Sequence, residues 1–441
     1  MKSAFLDMTA GKRIGFFGLG RSNAALLRLI GDRGDVTLRS DGKIRREDIP
    51  EGARVSRIFE GDEAFTEIAE DILIFSPSVR RDRQELLSAL GRGCVFTSDF
   101  EIFQKYCEKP QLLVTGSDGK TTTTTLISRI TGYPAIGNIG EAMTPHLTDS
   151  GEGYAVEASS FMLEYAHPKS RRAAITSLTE NHLNWHYTMD AYREAKIRAI
   201  DGAEEAVITA DSPLLLEGRL PRKVFAVCGA SAETEAVARR LSAELCYTTD
   251  GKFIMENGRR ILAISDLRRQ EKYNIKNYMT ALAMTKGIAD EDRAKEVIRS
   301  FGGIPHRGER VGIFSGIEFI NSSIDTTPER TMATLADLPY GVIILLGGRD
   351  KGLSLFALSA LIKRRGDRVI AYGEAEERIA AELGSLCIRA GGGLSSAVKK
   401  AAEISRSGDT VLLSPAATSY DEFQSFEERG DRFKELILQH F

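Results

Sequence analysis

Long hydrophobic runs and an excess of positive charge are both missing from this sequence. Its most apolar stretch, at residues 342–346, is far shorter than the roughly 20 residues that cross a bilayer, and no charged-then-apolar leader opens the chain. The formal net charge of -3 provides no general basic surface for nucleic acid or an anionic membrane. We therefore expect a cytoplasmic protein without membrane insertion and without a nucleic-acid partner, and we expect it to be a monomer.

Cysteine and histidine are few and poorly spaced for metal binding. The five cysteines are odd in number, lie far apart and include no CxxC pair, which argues against a disulfide framework and a structural zinc site. His182 and His186 have the i, i+4 spacing of a helical zinc pair, but the pattern offers no accompanying acid and no clear third ligand. The cysteine pattern fits a reducing compartment.

The length of 441 residues exceeds what one hydrophobic core supports, and the sequence repeats one theme three times. Apolar runs at residues 13–20, 111–116 and 341–348 each lead through glycine or small polar residues into a helix-period segment. This order is typical of parallel α/β units. We predict an α/β protein of three domains, with boundaries at residues 1–108, 109–303 and 304–441.

The second unit contains the segment VTGSDGKTT, residues 114–122. Small residues let backbone N–H groups close around phosphate oxygens at the start of a helix, and Lys120 adds a positive charge. Thr121 offers a hydroxyl to Mg²⁺. The loop departs from the Walker pattern because Val114 stands where that pattern has its first glycine. It predicts a nucleotide triphosphate site, with a plain strand-turn-helix as the alternative.

The first unit carries a weaker signal. Gly18 and Gly20 match the opening of a GxGxxG fingerprint, but Asn23 stands at the third glycine, and Asp41 follows near the offset of a ribose-binding acid. This pattern fits a nucleotide site or a tight βα turn equally well. A dinucleotide oxidoreductase is therefore an open alternative at this point.

Several polar residues follow predicted strands. Glu157 ends the strand-like run YAVE, where it is a natural Mg²⁺ ligand or a solvent-facing turn acid. By spacing alone, His182 is a surface residue of a polar loop and Lys196 a solvated helix lysine. In the third unit, Arg307 in a glycine turn fits a phosphate ligand or a surface turn, and Lys351 in GGRDKG fits an anion ligand.

The last strand is followed by SPAATSYDEFQSFEERGDRF, which begins at Ser414. Thr418 and Ser419 would lie at the carboxyl edge of that strand, or would cap the next helix. Together with VTGSDGKTT, GNIG, VEASSF, NHL, AYREAK, PHRGE and GGRDKG, in that order, the chain resembles the Mur ligase family over nearly its whole length. GNIG and the closing segment are most similar to the family members that add D-glutamate, whereas the phosphate loop is shared with folylpolyglutamate synthetases.

The resemblance implies an ATP-dependent ligase of the cytoplasmic stage of peptidoglycan synthesis. ATP would phosphorylate the alanyl carboxylate of UDP-N-acetylmuramoyl-L-alanine, and the amine of D-glutamate would attack the acyl phosphate. It also implies a Rossmann-like N-terminal domain, a central P-loop ATPase-like domain with a parallel sheet, and a Rossmann-like C-terminal domain. In that order the domains would bind the UDP-linked precursor, ATP with Mg²⁺, and D-glutamate.

The resemblance assigns a role to matching residues of this chain. The catalytic set it implies is Lys120, Glu157, His182, Lys196 and Lys351. The ATP set is Gly116, Ser117, Asp118, Gly119, Lys120, Thr121, Thr122, Asn274, Arg307 and Ser322. The precursor set is Gly18, Leu19, Gly20, Arg21, Ser22, Asp41, Asn138 and His182, and the D-glutamate set is Lys351, Ser419, Tyr420 and Phe426. The Mg²⁺ set is Thr121, Glu157, His182 and a carbamylated Lys196.

The chain departs from the family pattern at three positions. Ser322 replaces an acid expected near ribose, Ile324 stands where many members have lysine, and Met162 stands where glutamine is common. We expect these changes to affect substrate affinity more than reaction class. They leave two alternatives open: a related ligase, including a folylpolyglutamate-type ligase, that uses another amino acid, or a non-catalytic nucleotide-binding homologue.

Overall fold

The computed structural model describes residues 2–31, 35–148, 151–217, 223–336, 338–350 and 352–441. Lys351, predicted as a catalytic and D-glutamate-binding residue, lies outside these residues. The chain divides into two compact units, Met1–Phe301 and Gly302–Phe441. The first unit contains two β-sheets and the second unit contains one. In the part of the chain that is described, no helix has the length and apolar character to cross a membrane.

The first sheet has five parallel strands in the order β3-β2-β1-β4-β5. This order reverses direction between β1 and β4, and in such sheets ligands bind at the carboxyl ends of the strands beside the reversal. The strands are β1 Arg13–Phe17, β2 Asp35–Ser40, β3 Val55–Glu60, β4 Ile72–Phe75 and β5 Val95–Thr97. The helices are α1 Lys2–Thr9, α2 Arg21–Ile30, α3 Gln84–Gly91 and α4 Asp99–Tyr106.

Asn23 explains why the turn between β1 and α2 works without a third glycine. Its side-chain amide is buried and donates to the backbone oxygens of Phe17, Gly18 and Ile74 at 3.3, 2.7 and 3.3 Å. These bonds tie the start of α2 to the ends of both β1 and β4. A polar side chain therefore fastens the helix to the sheet at this turn.

The second sheet has nine strands in the order β14-β13-β12-β11-β10-β9-β6-β8-β7. Strands β6 to β12 are parallel, and β13 and β14 add an antiparallel hairpin at one edge. The strands are β6 Gln111–Thr115, β7 Ala135–Gly137, β8 Tyr154–Glu157, β9 Ser170–Ile175, β10 Ala203–Thr209, β11 Val224–Cys228, β12 Leu245–Thr249, β13 Phe253–Glu256 and β14 Arg259–Ala263. The helices are α5 Lys120–Thr131, α6 Ser160–Leu163, α7 Leu183–His186, α8 Met189–Asp201, α9 Pro213–Leu216, α10 Thr234–Arg240, α11 Lys272–Thr285 and α12 Glu291–Ser300.

The third sheet has six strands in the order β15-β16-β20-β17-β18-β19, parallel except for the β15–β16 pair. Its two faces pack against separate apolar clusters. The strands are β15 Glu309–Phe314, β16 Ile317–Asn321, β17 Ile343–Gly347, β18 Arg368–Tyr372, β19 Cys387–Arg389 and β20 Thr410–Leu413. The helices are α13 Pro328–Ala336, α14 Phe356–Arg365, α15 Glu376–Leu383, α16 Leu394–Ile404 and α17 Phe426–His440. The predicted α/β class, with mainly parallel sheets, is confirmed.

Candidate active site

The glycine loop between β6 and α5 has a shape that only glycine permits at two positions. Gly116 has φ +149° and Gly119 has φ +80°, which is left-handed backbone. A Cβ atom at Gly116 would collide with the hydroxyl of Thr176, and one at Gly119 with the amide oxygen of Asn277. The loop is therefore packed against β9 and α11 on both sides, and its backbone turns into the first turn of α5.

Ser117 fixes the middle of this loop. Its hydroxyl donates to the backbone oxygen of Thr179 and accepts from the Thr179 N–H, both at 3.0 Å. The same hydroxyl lies 3.0 Å from the phenol oxygen of Tyr192. The Asp118 N–H donates to the hydroxyl of Ser177 at 2.8 Å, and Asp118 itself is exposed. The loop is thus held from the segment that follows β9.

Two lysines converge on one backbone oxygen of the loop. Lys120 Nζ donates to the Gly116 and Ser117 oxygens, both at 2.8 Å, and Lys196 Nζ donates to the same Gly116 oxygen at 2.7 Å. Lys196 comes from α8 and is buried. Burial, and after it the charge of Lys120, holds the pKa of Lys196 well below its usual range. The site therefore favours an uncharged amine at Lys196.

Glu157 ends β8 directly beside the strand that leads into the loop, in register with Val114. It is buried, and its Oε1 accepts from the side-chain amide of Asn138 at 2.6 Å. Among the described residues its Oε2 has no hydrogen-bond partner, although it is also buried. A buried carboxylate oxygen without a donor fits a cation ligand.

The donor set around the loop fits Mg²⁺ better than a metal held by protein alone. Within the described ranges, no three His, Cys, Asp or Glu side chains cluster closely enough to form such a cage. Mg²⁺ takes one or two carboxylates and completes its shell with waters and substrate phosphates. Glu157 would supply the carboxylate, and Thr121, in the first turn of α5, would supply a hydroxyl beside the phosphate loop. Thr122 follows it in the same turn.

His182 lies in left-handed backbone, φ +54°, immediately before α7. Its ring is 4.9 Å from the ring of Phe161 and 6.2 Å from that of Tyr192, centre to centre. Partial loss of hydration, followed by the charges of Lys120 and Lys196, lowers the pKa of His182. A neutral imidazole is therefore favoured on the side of the loop that both lysines face.

A cavity of about 550 Å³ lies at the carboxyl end of the first sheet. Its lining comes from the segments after β1, β2 and β4, with further residues from the second sheet. Seven of the eight predicted precursor residues line it: Gly18, Leu19, Gly20, Arg21, Ser22, Asp41 and Asn138. His182, the eighth, is not in this lining. Because Asn138 also bonds to Glu157, the cavity meets the phosphate-loop side of the second sheet.

Sequence reasoning missed part of this lining. Residues 76–79 follow the buried strand β4 and line the cavity, as does Asp99 at the start of α4. The letters FSPS after an apolar run had the same strand-then-small pattern that singled out the other loops. Asp99 gave no such signal, because SDFE reads as an ordinary helix start, whereas its burial depends on packing against residues 143–144.

Asp99 is a buried carboxylate within this lining. It accepts hydrogen bonds from the Met143 and Thr144 N–H groups at 3.2 and 3.1 Å, and from the Thr144 hydroxyl. Burial raises the pKa of Asp99 to about 6, against the lowering effect of these donors. The carboxylate therefore fastens residues 143–144 to α4 beneath the cavity.

Asn274, predicted to lie near adenine, is buried on α11, the helix that packs along α5. Its side-chain amide donates to Glu271 Oε2 at 2.9 Å. Asn277, one turn further along α11, closes the space beside Gly119. The structure thus brings Asn274 onto the helix that adjoins the phosphate loop.

In the second unit, the turn that contains Arg307 meets the residue after β16. The Gly308 N–H donates to the hydroxyl of Ser322 at 3.2 Å, and Arg307 is exposed. The ring of Phe426, at the start of α17, lies 6.4 Å from the ring of His306. The structure therefore places three of the predicted residues, Arg307, Ser322 and Phe426, around one turn.

Ser419 and Tyr420 lie in the segment after β20. The Arg349 N–H donates to the Thr418 oxygen at 2.8 Å, which joins the GGRDKG loop to this segment. Ser419 is buried and Tyr420 is 57% exposed, so the tyrosine is available for contact with a ligand. The predicted D-glutamate residues that the structure describes in this segment are thus adjacent to the loop that leads to Lys351.

An acid is present near Ser322, three positions along the chain. Asp325 is buried and accepts from the hydroxyls of Thr334 at 2.7 Å and Ser414 at 2.8 Å. Burial raises the pKa of Asp325, because these neutral donors only partly replace water. The loop after β16 therefore retains one carboxylate, which bonds to hydroxyl groups of α13 and of the residue after β20.

The relatives of the chain identify its family. The middle-domain model of the Mur ligase family matches residues 114–285. A UDP-N-acetylmuramoylalanine--D-glutamate ligase of Clostridium perfringens is 30% identical over 460 residues, covering 98% of each chain. The enzyme of that name from Symbiobacterium thermophilum is 32% identical over 454 residues, covering 97% of this chain and 98% of the relative. The chain belongs to the Mur ligase family, and the predicted family is confirmed.

Solved structures support the fold. UDP-N-acetylmuramate-alanine ligase of Thermotoga maritima aligns with a TM-score of 0.53 at 20% identity, covering 97% of this chain and 99% of that one. A pseudomurein peptide ligase type C of Methanothermus fervidus aligns with a TM-score of 0.52 at 17% identity, covering 97% and 100%. Mur ligases are ATP-dependent enzymes of peptidoglycan synthesis that form amide bonds. This chain is therefore an enzyme of that ligase class.

Proposed function

We propose that this ligase joins D-glutamate to UDP-N-acetylmuramoyl-L-alanine in the cytoplasm, with conversion of ATP to ADP and phosphate. The relatives of 30 and 32% identity carry that activity in their names and align over nearly the whole chain. One structural observation carries the proposal: Glu157 joins the cavity and the phosphate loop. Its Oε1 bonds to Asn138 in the cavity lining, and its free Oε2 lies at the end of the strand beside the loop.

Each of the three predicted domains is proposed to bind a different substrate. Residues 1–108 bind the uridine nucleotide end of the precursor in the cavity after β1, where α2 offers its N-terminus to phosphate. Residues 109–303 bind ATP at the glycine loop. Residues 304–441 bind D-glutamate through Lys351, Ser419, Tyr420 and Phe426, and contact the nucleotide through Arg307 and Ser322.

The first chemical step is phosphoryl transfer. A carboxylate oxygen of the alanyl group attacks the γ-phosphorus, the bond from that phosphorus to the β,γ-bridging oxygen breaks, and ADP leaves. Lys120 and the N–H groups of residues 116–119 hold the charge on the phosphates. No protein nucleophile is needed, because ATP itself turns the poor electrophile into an acyl phosphate.

The second step forms the amide. The uncharged amine of D-glutamate attacks the carbonyl carbon and the nitrogen loses a proton to water. The tetrahedral species then collapses, and phosphate leaves with the oxygen that came from the carboxylate. The negative charge on that species is stabilised by nearby cations. The neutral imidazole favoured at His182 has a free lone pair, so we propose that it orients the reacting groups.

Mg²⁺ would be held by Thr121 and Glu157, with His182 and a carbamylated Lys196 nearby, and would neutralise phosphate charge when bound. The carbamate forms when the uncharged Lys196 amine adds to CO₂ and loses a proton. The depressed pKa of Lys196 increases the fraction of this amine that is uncharged. The modification also replaces an uncharged amine beside Lys120 by a negative group, which favours it electrostatically.

The proposal is tested by measuring phosphate release with each substrate omitted in turn. We expect release only when ATP, Mg²⁺, UDP-N-acetylmuramoyl-L-alanine and D-glutamate are all present, with bicarbonate raising the rate. Lys120→Ala should abolish it. Turnover with L-glutamate and a folate, but not with the muramoyl precursor, would overturn the proposal.

A second candidate is a related ligase that uses the same precursor with another amino acid. The observation in its favour is the altered loop after β16, where Ser322 and Ile324 replace the usual acid and lysine and Asp325 is buried. Assaying amino acids one by one against the muramoyl precursor separates the two candidates. Faster turnover with an amino acid other than D-glutamate would establish the second candidate.

A further inference from the structure

The loop after β4 contacts two functional regions in succession. Residues 76–79 line the cavity, and the next residue, Arg80, is not part of the lining. Arg80 Nη1 donates to the backbone oxygen of Trp185 at 2.7 Å. Its guanidinium carbon also lies 4.4 Å from the ring centre of Tyr187 and 5.2 Å from that of Trp185. One arginine thus joins the cavity loop to the segment that begins at His182.

Asp82 holds the guanidinium of Arg80 in one orientation. Asp82 receives Arg80 Nη2 at 2.7 Å and Arg80 Nε at 3.1 Å, which fixes the plane of the guanidinium. The following Arg81 donates to Glu101 Oε2 at 2.6 Å, and its guanidinium lies 4.6 Å from the ring centre of Tyr165. A shift of residues 76–79 is therefore transmitted to Arg80 instead of being absorbed by a loose side chain.

The segment that Arg80 contacts has little intrinsic stability. Helix α7 has four residues, less than isolated helices need, and left-handed residues stand at both ends, His182 at φ +54° and Tyr187 at φ +63°. Trp185 Nε1 donates to Glu164 on one side, and Arg80 binds the Trp185 carbonyl on the other. The segment leads directly into α8, which carries Lys196.

We propose that Arg80 is a positioning residue that couples occupation of the cavity to the placement of the His182 segment beside the phosphate loop. The inference rests on the proposed function in one respect, namely that the UDP-linked precursor binds in this cavity. A molecule that contacts residues 76–79 changes the position of Arg80, and Arg80 then moves the Trp185 carbonyl and the two rings. The His182 segment therefore takes its position beside the phosphate loop only when the precursor is present.

Arginine is the side chain that this role requires. Its planar fork bonds to Asp82 and to a carbonyl while its face lies on an aromatic ring, whereas lysine offers one point charge. Arg80→Lys should therefore retain the charge but weaken the coupling. Arg83 provides a matched control, because it belongs to the same loop and its guanidinium lies 3.7 Å from the ring centre of Phe65, within its own domain.

Trp185 gives the coupling a direct signal, since it is the single tryptophan of the chain. Tryptophan emission is measured while UDP-N-acetylmuramoyl-L-alanine is added to wild type, Arg80→Ala, Arg80→Lys and Arg83→Ala, with precursor binding measured in parallel by calorimetry. We expect a saturable emission change in wild type and in Arg83→Ala. Arg80→Ala should bind the precursor within about threefold of wild type but lose the emission change, and Arg80→Lys should show a reduced one.

Steady-state kinetics separate positioning from mere structural support. Arg80→Ala should lower kcat at least about tenfold with little change in the KM for precursor, and added guanidinium should restore part of the rate. Unchanged thermal midpoints would exclude unfolding as the cause. Precursor binding without any change of Trp185 emission in wild type, or an undiminished change in Arg80→Ala, would overturn the coupling and leave the ligase proposal intact. Absence of precursor binding would overturn both.

Discussion

At the scale of single residues, the site is organised around the backbone oxygen of Gly116. Lys120 and Lys196 both donate to it, so two like charges would be forced together in a place that is largely dry. Burial, and after it the charge of Lys120, lowers the pKa of Lys196 and so favours loss of its proton. In the proposed function the same arrangement would favour carbamylation of Lys196, because only the free amine reacts with CO₂.

Lys196→Ala tests this interpretation. We expect turnover to fall by at least about 100-fold, the scale of losing one group that stabilises charge in the reaction. Acetate or formate should restore part of the rate, because a small carboxylate supplies the missing oxygen atoms. Lys252→Ala, which removes an exposed lysine, serves as the control. No restoration at high carboxylate concentration would count against the carbamate.

Glu157→Gln tests the free carboxylate oxygen. The variant keeps an oxygen that accepts from Asn138, so its thermal midpoint should be close to that of wild type. The Mg²⁺ concentration for half-maximal rate should rise by more than about tenfold, since even groups around a metal ligand have effects of that size. Glu204→Gln changes an exposed acid on β10 and should leave the Mg²⁺ dependence unchanged. An unaltered Mg²⁺ curve in Glu157→Gln would exclude Glu157 as a ligand.

Asp99 predicts a pH dependence of stability. Its pKa is about 6 in the folded chain and about 3.9 in an unfolded one, so the folded state binds the extra proton between these values. The resulting stabilisation is fully present below about pH 4 and is lost as pH rises through about 6, a change of about 3 kcal/mol. In Asp99→Asn this part of the slope should disappear. Urea unfolding followed by Trp185 emission measures the difference, and identical slopes would contradict the prediction.

Some residue roles could be predicted from pattern and others could not. Glu157 follows a strand-like run, and a parallel sheet presents such a residue at its carboxyl edge. Lys196 stands in AYREAK, which reads as a solvated helix face, yet α8 packs so that the lysine is buried. That burial depends on long-range packing of α8 near the end of β6, which no local pattern expresses. The family resemblance alone singled out this lysine.

At the scale of elements, three strand–loop–helix units fix the positions of the polar groups. The predicted apolar runs at residues 13–20, 111–116 and 341–348 correspond to β1, β6 and β17, which end at Phe17, Thr115 and Gly347. Periodicity identified these strands because buried parallel strands are apolar on both faces. Periodicity did not identify the short helices α6 and α7, because four residues are too few to show a period. Tertiary contacts hold these helices.

Gly119→Ala tests whether the glycine loop depends on its backbone shape. Left-handed strain and the collision with Asn277 should together cost about 1–3 kcal/mol, and the KM for ATP should rise because the loop N–H groups are displaced. Gly251→Ala provides a matched control: its φ of +82° is nearly the same, but its Cβ meets nothing within 4 Å. The control should lose about 1 kcal/mol without any change in the KM for ATP. Equal ATP affinity in both variants would show that the loop tolerates displacement.

At the scale of the whole molecule, the first unit alone brings a cavity and a phosphate loop together. The order of strands places β1 beside β4 in one sheet and β6 between β8 and β9 in the other, so segments far apart in sequence meet. A single sequence contains the elements but not this order, because strand pairing is decided by packing between distant segments. The burial of Asp99 against residues 143–144 was missed for this reason, whereas the family resemblance grouped seven residues that line one cavity.

The groups proposed to bind D-glutamate belong to the second unit, and the phosphate loop belongs to the first. The central claim is that the alanyl carboxylate is phosphorylated and then captured by D-glutamate. Each carboxylate oxygen has a different fate in this account: one leaves with phosphate, and the other remains in the amide.

Oxygen transfer from the precursor tests this claim most directly. The substrate is UDP-N-acetylmuramoyl-L-alanine labelled with ¹⁸O at both alanyl carboxylate oxygens. It is incubated with ATP, Mg²⁺ and D-glutamate, and the masses of the products are measured by mass spectrometry. The account predicts one ¹⁸O in the released phosphate and one in the amide product, with no product from L-glutamate. Phosphate without ¹⁸O, or an amide product formed equally well from L-glutamate, would contradict it.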